Sequence, residues 1–74
     1  MPRKVRELRA DLRRAGFQLV KRQGKGSHTK WRHPLIPGSI IIAGNDGDDA
    51  KYYQEDDVRE AIQKAREAEA RQKP

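Results

Sequence analysis

Val5, Leu8, Leu12 and Ala15 recur at spacings of three, four and three, which places them on one face of a helix from about Pro2 to Ala15. Pro2 suits the start of such a helix, and Gly16 suits the left-handed position just past its end. Arg6, Arg9 and Arg13 form a second, basic stripe beside the apolar one. The next stretch changes period. Phe17 and Leu19 alternate with Gln18, glycines bound the segment, and a strand over Phe17–Arg22 is predicted. Gln23 to Ser27 reads as a glycine-containing turn. His28 to His33 reads as a second strand, with Thr29, Trp31 and His33 on one side and His28, Lys30 and Arg32 on the other.

Pro34 to Gly38 breaks the chain again, and Ser39–Ala43 is an unbroken, β-branched apolar run that fits a well-buried strand. An acidic loop spans Gly44–Lys51. Val58, Ala61, Ile62 and Ala65 then mark the apolar face of a second helix, from about Gln54 to at least Ala65. Beyond Ala65 the pattern turns polar and alanine-rich, so fraying is expected over about 66–74. The order helix, strand, strand, strand, helix gives a single α+β domain over 1–74. It has a three-stranded antiparallel sheet with two helices on one face.

Charge changes this picture more than composition does. Residues 1–33 hold eleven Lys/Arg against only Glu7 and Asp11, while the remainder holds six against nine Asp/Glu, for a net charge of +6. A basic half of this size favours polyanionic partners, nucleic acid first. The chain has no cysteine, so a disulfide scaffold is excluded and a reducing, cytoplasmic compartment is expected. No apolar run approaches a membrane span, and no signal-peptide core is visible near the N-terminus. With no thiolate and only His28 and His33 as imidazoles, no metal site is expected. Asp46, Asp48 and Asp49 lack the spacing of a calcium loop and read as a solvated turn.

The segment Gly24-Lys25-Gly26-Ser27-His28-Thr29-Lys30-Trp31-Arg32-His33-Pro34 concentrates the candidate chemistry. RNA carries its own nucleophile, the 2′-hydroxyl. An enzyme that cuts it needs a proton carrier and positive charge around the phosphate. Histidine is the side chain suited to the first task, and lysine and arginine to the second. His28 is therefore the candidate catalytic group. Lys25, Lys30 and Arg32, with Arg6, Arg9 and Arg13 on the helix, are the candidate RNA contacts. For any single arginine, a solvated helix face is an equally simple account. His33, beside Trp31 on the packed side, is expected to be structural, and Trp31 to be core.

Gly26-Ser27-His28, the aromatic at Trp31 and His33-Pro34, set after Ala15-Gly16-Phe17, resemble the signature of the HicA toxins. The resemblance covers about residues 3–66. It implies a fold like that of double-stranded-RNA-binding domains, cleavage of mRNA that arrests growth, and neutralisation by a HicB-type antitoxin. His28 aligns with the catalytic histidine, and Gly26 and Ser27 with the turn that presents it. No cofactor is implied. Ala43 to Gln54 departs from the family pattern, which has a Pro-His-Pro-like segment and a leucine-rich final helix there. Two other functions suit the same residues: a non-catalytic RNA-binding module, and a protein-interaction domain whose basic face meets an acidic partner.

Overall fold

The computed structural model describes residues 3–23 and 28–72. Helix α1 spans Val5–Arg14, strands β1 Gln18–Gln23, β2 His28–Arg32 and β3 Ile40–Ile42 follow, and helix α2 spans Tyr52–Gln72. This is the α+β order that the hydrophobic pattern predicts.

Helix α1 forms because Val5, Leu8 and Leu12 bury completely on one side, at 1% exposure or less. It starts at Val5, three residues later than the periodicity predicts, because Lys4 is extended and pairs with Asp49 in an isolated antiparallel bridge; Pro2 lies outside the described residues. The first-turn amides are met by the loop that follows β3. Val5 N–H donates to the Asp48 carbonyl at 2.9 Å and Arg6 N–H to that of Asp46 at 3.2 Å. Glu7 Oε2 accepts from the Lys4 amide at 2.7 Å. At the other end, Phe17 N–H reaches the Leu12 carbonyl at 3.0 Å and Gly16 N–H that of Arg13 at 3.1 Å. Gly16 sits at φ +97°, the left-handed position this closure requires.

The sheet is antiparallel in the order β1-β2-β3, with β2 in the centre. Leu19 faces Trp31 and Lys21 faces Lys30 in register, so Val20 is the extra residue of a β-bulge. Thr29, Trp31 and His33 are buried while His28 and Arg32 are exposed, as the alternation predicts. Trp31 is the largest fully buried side chain and joins Leu8, Leu12, Phe17, Ile42, Val58 and Ala65 in the core. Both helices contribute to that core, on the same face of the sheet.

Two elements differ from the sequence expectation. The strand predicted over Ser39–Ala43 is shorter, and only Ile42 is fully buried, whereas Ile41 is 53% exposed. The cause is topological. β3 lies at a sheet edge with helices on one side only, so an unbroken apolar run still splits between a covered and an open face. Helix α2 starts earlier than predicted and stays helical through most of the stretch expected to fray. Gln54 starts it early, its Oε1 accepting the Lys51 amide at 2.9 Å while its Nε2 donates to the Ala43 carbonyl at 2.9 Å. The helix continues past Ala65 to Gln72, and Ala68 is still buried at 7%. Alanine combines the highest helix propensity with a side chain small enough for close packing, so this stretch needs no large apolar residues to stay helical. Ile62, predicted to share the core face with Val58, is only partly buried.

Candidate functional site

The open face of the sheet is built by the period-two alternation of β2. Thr29 and Trp31 anchor the strand inward. This leaves His28 and Arg32 exposed and Lys30 half-buried on the opposite side. Successive residues on that side stand about 7 Å apart along the strand, comparable to the spacing of phosphates along a nucleic-acid chain. His28 is the first residue of β2 and lies opposite Gln23 of β1. Lys30 is flanked by Lys21 of β1 and Ile41 of β3, and Arg32 lies opposite Gln18. One strand thus brings together three of the predicted site residues. Lys25, Gly26 and Ser27 lie outside the described residues.

The three helix arginines do not join this set. Arg6 and Arg13 are exposed, but they belong to α1, on the covered side of the sheet. The Arg13 guanidinium also lies 5.5 Å from the centroid of the Trp31 ring, a cation–π contact. Arg9 corrects the expectation of a continuous basic stripe. Its side chain is only 14% exposed and turns inward. It donates to Thr29 Oγ1 at 3.2 Å, to the Gly44 carbonyl at 2.7 Å and to Asp46 Oδ1 at 2.6 Å. A guanidinium so engaged has left the outer surface that a phosphate would meet.

The acidic loop is also more than a solvated turn. Asp46 pairs with Arg9, and Asp49 pairs with Lys4 at 2.6 Å. The Asp48 carboxylate accepts the Asn45 amide at 3.0 Å, which holds the turn that caps α1. Among the described residues, no three His, Cys, Asp or Glu side chains converge to hold a metal ion. His33 sits where the sequence places it, buried beside the turn. Its Nδ1 accepts the Leu35 amide at 3.1 Å, its Nε2 lies 3.5 Å from Glu69 Oε1, and its ring meets Phe17 edge-on at 5.1 Å.

Away from this face, Asp11 forms an ion pair with Arg3 at 2.5 Å and another with Arg14. Burial pushes its carboxyl up, but the hydrogen bonds and charges of Arg3 and Arg14 outweigh that and hold it below the ordinary carboxylate range. The same pairing, through the hydrogen bond to Asp11 first, raises Arg3. A carboxyl depressed in the folded state stabilises the fold above its unfolded pKa, and that contribution is lost as pH falls through the folded value. Wild type is therefore expected to lose stability below about pH 4 more steeply than Asp11→Asn. Thermal melts of both proteins from neutral to acid pH check this, and a constant gap between them would contradict it.

The residues that sequence reasoning missed are Thr29 and Arg9 as a joint anchor behind β2. The available signal was a hydroxyl at an inward strand position, which must find hydrogen-bond partners once buried. A family model described as the HicA toxin of bacterial toxin–antitoxin systems matches residues 5–65. No curated protein and no solved structure matches the chain.

Proposed function

The chain belongs to the HicA toxin family of bacterial toxin–antitoxin systems, and from that premise we propose that it is a toxin endoribonuclease acting on mRNA with His28 as its proton carrier. The observation that carries this reading is the alternation on β2. It presents His28, Lys30 and Arg32 side by side on an open face while their neighbours Thr29 and Trp31 are locked into the core.

RNA lies along that face with phosphates at Lys30 and Arg32. The 2′-oxygen attacks the adjacent phosphorus, and the bond from phosphorus to the 5′-oxygen breaks. The 2′-hydroxyl gives up its proton and the departing 5′-oxygen takes one. His28 acts at one of these two positions, as general base or general acid, and water or a second group serves the other. Lys30 and Arg32 offset the charge that builds on the phosphate oxygens in the transition state. Lys25 adds a further cation, and Gly26 and Ser27 align with the family's catalytic loop; all three lie outside the described residues. Arg6 and Arg13 serve strands that extend past the sheet edge. The reaction needs no metal or cofactor and takes place in the cytoplasm. A HicB-type antitoxin silences the toxin by covering the same face. Among the described residues, no helix is long and apolar enough to cross a membrane.

The products test this chemistry. Purified protein incubated with single-stranded RNA in excess EDTA is expected to leave 2′,3′-cyclic phosphate ends. Fragments ending in a 3′-hydroxyl, or activity abolished by EDTA and restored by a divalent cation, would overturn the mechanism. Binding without cleavage would leave the non-catalytic RNA-binding module in its place.

A further inference from the structure

Arg9 joins segments of the chain that are distant in sequence at one point. From α1 its guanidinium reaches the Thr29 hydroxyl on β2, the Ile42 carbonyl at the end of β3 at 3.4 Å, and the Gly44 and Asp46 oxygens of the following loop. Thr29 is the residue after His28. Its hydroxyl also accepts Trp31 Nε1–H at 2.9 Å and lies 3.3 Å from the Ile42 carbonyl, to which it donates. A hydroxyl has one proton to give and two lone pairs to fill. Here all three are used, the two acceptor sites by Arg9 and Trp31. A side chain held in this way cannot rotate without breaking several bonds. A cation largely withdrawn from water also stays in place only while its partners do.

We infer that Arg9 is a positioning residue for His28: it holds the Thr29 hydroxyl, and through it the backbone at the start of β2, so that the imidazole meets the substrate from a fixed strand. Arg9 acts from the covered side of the sheet and touches no RNA. The effect on catalysis rests on the ribonuclease reading above, while the effect on the strand does not.

The test uses the full chain with Arg9→Lys, which keeps the charge and loses the fork, and with Thr29→Val and Thr29→Ser, which remove and keep the hydroxyl. Three quantities are measured well below the melting temperature: kcat and KM on one single-stranded RNA, the salt dependence of binding, and amide hydrogen exchange at His28, Thr29 and Lys30. Arg9→Lys and Thr29→Val are expected to lower kcat roughly tenfold to a hundredfold, with KM and the salt slope unchanged and exchange at these amides accelerated. Thr29→Ser is expected to retain most of the wild-type kcat. A raised KM with kcat preserved and a shallower salt slope would make Arg9 a phosphate contact instead. A lower melting temperature with kcat and local exchange unchanged would reduce Arg9 to a stabilising residue. If Arg9→Lys does not fold, the Val and Ser variants of Thr29 decide, and equal kcat in both overturns the proposal. If the wild type does not cleave RNA, the ribonuclease reading fails. Exchange at His28–Lys30 then decides alone, and rates equal to wild type in Arg9→Lys overturn the positioning role.

Discussion

Replacing His28 with alanine is expected to lower the rate of RNA cleavage by about 10²–10⁴-fold, the usual worth of a positioned proton carrier, and to leave folding intact. The structure bears directly on the second half of that expectation. His28 is exposed, at the first position of β2, and has no place in the core. Surface replacements away from caps and buried networks typically change stability by no more than about 0.5 kcal/mol. The loss is therefore expected in kcat, with RNA affinity largely retained through Lys30 and Arg32. Steady-state cleavage of a defined oligonucleotide, beside a thermal melt, checks both parts. Equal rates for the two proteins would remove His28 from the chemistry.

The second large effect concerns the fold. Leu12 is fully buried at 0% exposure, and its carbonyl and side chain both serve the end of α1, where Phe17 closes the turn. Leu12→Ala removes buried methyl groups in contact with the core and leaves a cavity, at a cost of about 2–5 kcal/mol. A domain of this size has only on the order of 4–11 kcal/mol of total stability. The melting temperature is expected to fall by at least roughly 8 °C, with much of the chain unfolded near physiological temperature. A shift under about 2 °C would mean that α1 packs otherwise. This variant also serves as a control, since it should lose activity through the folded fraction and not through kcat of the folded protein.

Much of the architecture was legible because it depends on short-range periodicity. Val5, Leu8 and Leu12 declare a helix face, and Thr29 and Trp31 alternating with His28, Lys30 and Arg32 declare a half-buried strand. That alternation also assembled the strand part of the candidate site. What stayed hidden depends on topology. Ile40–Ile42 reads the same whether a strand is covered on one face or two, and only the placing of both helices on one side of the sheet exposes Ile41. Alanines after Ala65 look like a polar tail until helix packing makes use of their small size. Arg9 has the same spacing as Arg6 and Arg13, yet its partners lie 20 to 37 residues away on β2 and the loop after β3. No local pattern distinguishes it from a surface arginine. The acidic loop escaped for the same reason, since its role is to cap a helix about 40 residues earlier in the chain.

Activity in the cell tests the central claim most directly. Wild type and His28→Ala are induced at matched soluble levels, and growth and total mRNA integrity are followed together. Arrest with loss of mRNA for wild type, and neither for His28→Ala, is the predicted result. Equal toxicity of the two proteins, or intact mRNA in cells arrested by the wild type, would contradict a ribonuclease that works through His28.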